Sequence, residues 1–194
     1  MAGRAAIGLL LCAGLAGCSG APQATSREPP SRQMPDGKRW TLVNANAQMS
    51  ESWCYGDAPS NCERYGRLYT WAAARKYCAS LGDAWRLPGM NDWRDLARIH
   101  GGLFDDGPGN GKIAFVELLA GGKSGLELLL GGGRNAPEAT YARLEAHGFY
   151  WSSTEDSPTT VRYLNFGKGS RTVYDQDGGG KTQAFSVRCV ADAR

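Results

Sequence analysis

Apolar residues return at helical spacing in two stretches of the first half of the chain. Between Trp71 and Leu81 the positions Trp71, Ala74, Cys78 and Leu81 share one face, Thr70 offers an N-cap, and Gly82 a C-terminal stop. From Met90 to Ile99 the residues Trp93, Leu96 and Ile99 repeat the pattern until Gly101-Gly102 ends it. A loop at Gly107-Pro108-Gly109-Asn110-Gly111 leads to a short apolar helix over Ile113–Ala120. Strand signals lie between these helices. Lys38–Val43 alternates, Gly66–Tyr69 runs into the Thr70 cap, and Trp85–Pro88 is extended because Pro88 pushes its predecessor out of the helical region. From Leu126 onward the helical period disappears. Leu126–Leu130, Gly148–Thr154, Val161–Phe166, Arg171–Tyr174 and Ala184–Val190 read as short strands punctuated by Gly, Pro, Asp and Ser. In the last of them Phe185, Val187 and Cys189 share one face, and Ser186 and Arg188 the other. The order predicts an α+β domain with helices packed on mostly antiparallel strands, and no repeat is present.

The N-terminus changes the picture of where this domain resides. Residues 1–17 carry one cation, Arg4, then an apolar run from Ala5 to Ala16, too short for a permanent membrane span. The ending Leu15-Ala16-Gly17-Cys18 resembles the lipobox of bacterial lipoproteins, whose cysteine is acylated before the signal is cut in front of it. That resemblance implies lipidation (palmitate among the chains) at Cys18. Ser19 after the cysteine implies an outer-membrane destination, with the membrane as partner through the lipid anchor. Several acyl chains, at about 0.8 kcal/mol per buried CH₂, hold where one does not. Residues 18–35 are rich in Pro, Ser, Gln and Ala, with almost nothing large and apolar, and predict a flexible tether. The folded domain is expected over residues 36–192.

Composition then removes function classes. The 194 residues are 42% hydrophobic and 21% charged, with a net charge of +3, which is ordinary for one globular domain. No Lys/Arg run tracks phosphates, so no nucleic-acid partner is expected. The 27 glycines and 6 tryptophans predict many turns around large apolar faces, and 2 histidines cannot build a histidine-rich metal site. Of the 6 cysteines, Cys12 leaves with the signal and Cys18 carries lipid. Cys54, Cys62, Cys78 and Cys189 remain for two disulfides, with three pairings open. A local Cys54–Cys62 bridge across a turn-rich loop is natural and leaves Cys78 for Cys189, joining the first helix to the last strand. Zinc needs reduced thiols, and no CxxC pair is present.

Trp53-Cys54-Tyr55, Asn61-Cys62, Tyr65–Trp71, Trp85-Arg86-Leu87-Pro88, Asp92-Trp93, Gly132-Gly133-Arg134, Tyr150–Glu155 and Phe185–Val190 occur in one order across the domain. Together they resemble the Fibrobacter succinogenes major paralogous domain, and the chain is also similar to the C-terminal domain of the Legionella collagen-like protein. Gly89 departs from that pattern, which places a polar helix cap after the proline. The resemblance implies the C-type-lectin-like fold, shared with formylglycine-generating enzymes, in which a cysteine of the first helix bonds one of the last strand. It implies surface or secreted modules and no particular activity.

Candidate chemistry is sparse. Gly178-Gly179-Gly180-Lys181-Thr182 and Gly122-Lys123-Ser124 lack the leading glycine of a phosphate loop, having Asp175 and Glu117 there. No Gly-x-Ser-x-Gly elbow exists, and neither His100 nor His147 sits in a triad context. His147 reads as a packed loop histidine. The formylglycine-generating version of the fold uses an active-site cysteine pair, whereas here all four domain cysteines are expected in structural bridges. No cofactor is expected. Asp175-Gln176-Asp177-Gly178 and Glu155-Asp156 offer oxygens to calcium, but without an EF-hand pattern solvated acidic turns are preferred. Trp71, Trp85 and Trp93 are expected in the core, while some of Tyr150, Tyr163 and Tyr174 face outward. The expected function is non-catalytic binding of glycan or protein, with an enzyme on this fold or a structural envelope component as alternatives. The expected site is the Gly-, Ser- and Asp-rich stretch Glu155–Gln183, through Arg162, Tyr163, Asn165, Arg171, Tyr174 and Asp175.

Overall fold

The computed structural model of the protein describes residues 28–192, so the signal sequence and Cys18 lie outside the described residues. In chain order the elements are β1 (Ser31–Gln33), β2 (Arg39–Thr41), β3 (Ser52–Trp53), α1 (Pro59–Tyr65), β4 (Leu68–Tyr69), α2 (Trp71–Ser80), β5 (Trp85–Arg86), α3 (Met90–Ile99) and α4 (Lys112–Leu118), then β6 (Gly133–Arg134), β7 (Tyr141–Ala142), β8 (His147–Glu155), β9 (Thr160–Gly167), β10 (Thr172–Gly180) and β11 (Val190–Ala191). The named strands pair antiparallel throughout, in sheets ordered β1-β2-β11-β5 and β10-β9-β8 and in the ribbons β3-β4 and β6-β7. The architecture is α+β.

α2 begins where expected, with Thr70 Oγ1 accepting the Ala73 N–H at 3.3 Å, and buries Trp71, Ala74, Tyr77 and Cys78. α3 has the predicted bounds even though Gly89 has no side chain with which to cap it. Its orphan donors are met from elsewhere: Met90 N–H donates to Thr154 Oγ1 of β8 (2.9 Å), and Gly89 N–H donates to the Asp92 carboxylate (2.7 Å). A neighbouring strand supplies the cap that the sequence lacks. Trp93 and Leu96 of α3 pack with Trp40, Tyr150 and Phe166 in one apolar cluster, and a second gathers Tyr69, Trp71, Trp85, Trp151 and Phe185. The expected core tryptophans are all in place. Tyr150, however, is fully buried, pinned between the Trp93 edge (6.0 Å) and the Phe166 face (5.7 Å).

Both disulfides form as predicted, Cys54–Cys62 at a separation of 8 residues and Cys78–Cys189 at 111. The loop between Cys54 and Cys62 is more ordered than its turn residues suggested, holding a 3-10 turn at Tyr55–Asp57 and the start of α1.

Four expectations fail for identifiable reasons. The stretch read as tether to Pro35 already contains β1, paired with β2, and Met34 is buried in the core, so the folded region starts earlier than residue 36. Leu126–Leu130 is not a strand; it makes one isolated bridge, Leu119 to Leu128, and Glu127 sits at φ 58°. Its carbonyls turn to a different partner. Arg188, expected on a polar strand face, is 1% exposed. Its guanidinium donates to Thr41 O (2.9 Å), Leu126 O (2.7 Å), Glu127 O (2.6 Å) and Asn44 Oδ1 (2.7 Å). Burial pulls its pKa down, with Tyr150 and Glu127 acting the other way. For the same reason Ala184–Val190 is not one strand. Its residues touch Arg134, Tyr69 and Tyr150 through single bridges, and only Val190–Ala191 joins a ladder. Both of its faces are buried, which defeats any inside–outside alternation.

Candidate functional site: the outer face of the three-stranded sheet

The register of β8, β9 and β10 decides which side chains meet. Tyr163 pairs with Trp151 and Gln176, Asn165 with Phe149 and Tyr174, and Gly167 with His147. Residues on one rung share a face, so these form a single surface. The intervening rungs, carrying Tyr150, Leu164, Phe166 and Val173, point to the core beneath α3 and α4. Phe185 covers part of the outer face, with ring centroids 4.3 Å from Trp151 and 5.1 Å from both Phe149 and Tyr163. His147, Phe149, Tyr163, Asn165, Tyr174 and Gln176 stay half-buried.

Polar groups along this row are joined. His147 Nδ1 lies 3.1 Å from Asn165 Oδ1, and Arg143 approaches His147 Nε2 at 3.5 Å. The tautomer carrying its proton on Nδ1 serves both contacts, donating to the asparagine and accepting from the arginine. Asn165 then donates through Nδ2 to Gln176 Oε1. The His147 ring stacks on Phe149 at 5.5 Å and 20°. Opposite it only glycine fits, since a Cβ on Gly167 would lie 2.9 Å from the imidazole. Burial raises the Tyr163 hydroxyl pKa, and the nearby Asp177 charge adds to the shift, so this phenol remains a neutral donor at physiological pH. The face therefore offers planar amides and an imidazole beside the Phe149 and Tyr163 rings, which pack on one side against the second apolar cluster.

The six residues expected to form a binding patch do not lie together. Tyr163, Asn165 and Tyr174 are on this face, where Tyr174 also packs against Phe104 at 5.0 Å. Arg162 and Asp175 are on the opposite one. The Asp175 side chain is 4% exposed and takes Arg162 Nε (2.7 Å) and Arg94 Nε (2.8 Å), bracing α3 against the sheet. Arg171 stands exposed in the β9–β10 turn at φ 52°, beside α4. The acidic residues weighed for calcium are likewise dispersed. Glu155 pairs with Lys181, Asp156 accepts from Gly178 and Thr160, and β10 runs straight through Asp175–Gly178 with a bulge. Among the described residues no three His, Cys, Asp or Glu side chains converge as metal ligands.

Near the edge of this face lies a second aromatic group. The Arg134 guanidinium sits 4.1 Å over Trp53 and 5.9 Å over Tyr141, and the Tyr141 ring lies tilted against Tyr55 at 5.2 Å. Gln183 Nε2 donates to Asn135 Oδ1 at 3.3 Å beside it. Arg134 and Ala184 exchange backbone hydrogen bonds, which places this group next to Phe185 and hence next to the row on the sheet. A family model for the Fibrobacter succinogenes major domain matches residues 28–191, almost the whole of the described chain. The chain belongs to that family. Neither a curated protein nor a solved structure matches it. Within this Fibrobacter succinogenes major domain, sequence reasoning missed His147, Phe149 and Gln176. The signal was available: carrying the period of two back from Trp151 puts Phe149 and His147 on one face of the same strand, with Phe149 paired to Asn165.

Proposed function

We propose that the chain is an exported lipoprotein, acylated at Cys18 and held at the outer membrane, whose C-type-lectin-like domain binds glycan or protein ligands without catalysis. The observation that carries the binding reading is the half-buried row of His147, Asn165 and Gln176 beside the Phe149 and Tyr163 rings. Planar amides offer paired donors and acceptors, and rings offer apolar faces, the combination that orients a hydroxyl-rich ligand. The helix-to-strand bond Cys78–Cys189 supports the lectin-like plan, and the two bonds support an oxidising compartment. With all four described cysteines bonded, the formylglycine-generating type of oxidation has no thiol pair to use, which supports a non-enzymatic role.

A glycan array and a pull-down with the mature protein test this reading. Asn165→Ala, Gln176→Ala and Tyr163→Ala each lower binding of the captured ligand tenfold or more. Full binding by all three overturns the placement. Globomycin treatment, or Cys18→Ala, alters processing and releases the protein from membranes. Unchanged mass and membrane retention overturn the anchor.

A further inference from the structure

Large apolar side chains are exposed very unevenly over the described residues. Apart from Val43, those exposed are Ile99 (49%), Phe104 (39%), Ile113 (48%) and Val116 (52%), all between the end of α3 and the body of α4. Ile113 and Val116 floor a groove of about 660 Å³ whose rim carries Lys112, Lys123 and Arg171. Among the described residues none of these three cations has a carboxylate within 4.0 Å, whereas Arg86, Arg94 and Arg98 are each paired. Glu117 also borders the groove, but its carboxylate is engaged by His100 Nδ1 at 2.7 Å. An apolar floor ringed by unpaired cations is complementary to a surface that presents anions over hydrocarbon.

We infer that this α4 face seats on an anionic bilayer surface. The place where the chain enters the domain argues for that occupant. Arg32 of β1 donates to Ser124 O, and Lys123 lines both the α4 groove and the adjoining one bounded by Arg32–Pro35. The N-terminal strand therefore enters at the rim of this face. This argument rests on the lipid anchor proposed above. The thirteen-residue step from Cys18 to Ser31 spans at most about 45 Å, which keeps this end of the domain within reach of the membrane holding the acyl chains.

The test uses the chain from Ser19 onward, exported behind a non-lipidated signal so that both disulfides form; everything described in the fold lies within it. It co-sediments with vesicles of equal parts phosphatidylglycerol and phosphatidylcholine, not with phosphatidylcholine alone, and is released by salt. Lys112→Glu, Lys123→Glu and Arg171→Glu each reduce partitioning about fivefold or more, since a cation near such a surface contributes about 1 kcal/mol. Ile113→Asp and Val116→Asp abolish it while circular dichroism stays native. Failure of the unaltered chain to bind anionic vesicles overturns the inference. So does binding that these variants leave unchanged, or self-association that Ile113→Asp disrupts in sedimentation velocity, which would make the face an interface between copies. Vesicle binding by this chain together with an unacylated Cys18 in cells refutes the anchor and leaves the surface standing.

Discussion

Two hydrogen-bonded networks in this domain are each built around an asparagine, and they differ chiefly in access to water. Inside, Asn44 Oδ1 accepts from Arg188 Nε (2.7 Å) and from the Tyr150 hydroxyl (3.0 Å), while its amide donates to Tyr65 O (2.7 Å). Outside, Asn165 accepts from His147 and donates to Gln176 on a half-buried face. In the interior an unmet donor or acceptor costs about 1–3 kcal/mol, and Asn44, Arg188 and Tyr150 are each committed to fixed partners. At the surface, water stands in for any missing partner, and the same groups can exchange a neighbour for a ligand. Similar chemistry therefore fixes the fold in one region and leaves the other in contact with solvent, where the proposed binding would take place.

The contrast breaks most severely at the bond that locks the interior segment in place. Replacing both Cys78 and Cys189 by Ala removes a link across 111 residues, worth about 5 kcal/mol in the chain-entropy picture. The 8-residue Cys54–Cys62 link is worth about half of that. Urea unfolding of the two double variants separates them, and equal losses would show that Cys189 does not hold the network. Next, Arg188→Met leaves three backbone carbonyls without the guanidinium and Asn44 Oδ1 with the Tyr150 hydroxyl alone, and we expect a loss of about 3–5 kcal/mol in the same assay. A loss below about 1 kcal/mol would erase the distinction between the two networks.

Asp92 is an intermediate case. Burial alone raises its pKa, but the Arg86 hydrogen bond, the Gly89 N–H and the charges of Arg86 and Lys38 outweigh this and hold the carboxyl below its ordinary value. A carboxyl held low in the fold stabilises fully above its unfolded pKa of about 3.9 and loses that contribution as pH falls through the folded value. Asp92→Asn is accordingly less stable than the parent at neutral pH, and the gap narrows below about pH 4 in a series of urea titrations. A gap independent of pH would mean that packing, not charge, carries the effect. At the weak end, Asn165→Ala and Gln176→Ala shift stability by no more than about 1 kcal/mol while removing ligand binding.

The helices and the outer two-residue rhythm of the sheet were legible because each is a local pattern. α3 shows its helical spacing in Trp93, Leu96 and the terminal glycines, and β9 alternates cleanly between Tyr163, Leu164 and Asn165. The disulfides followed from the even cysteine count together with the short turn-rich loop between Cys54 and Cys62. What stayed hidden depends on partners far along the chain. Arg188 looks like a surface residue until Thr41, Asn44 and the Leu126–Glu127 carbonyls close around it. Gly89 looks like a missing cap until Thr154 reaches it. The site was half legible for the same reason. Composition pointed to a stretch that includes β9 and β10, but only strand register could show that Arg162 and Asp175 turn toward α3 while Tyr163 and Asn165 turn away.

β11 lies between β2 and β5, in the middle of its sheet, yet follows every other described element in the chain. During synthesis or passage through a translocon, the N-terminal part therefore emerges with an open slot at the centre of that sheet and with Cys78 unpaired. The sheet closes, and the long-range disulfide forms, only after residues 188–191 arrive. Contacts of such high sequence separation are slow to establish. This timing suits the export proposed above: Cys78 has no native partner until residue 189 arrives, and a chain cut short before Arg188 lacks both the central strand and the long-range bond.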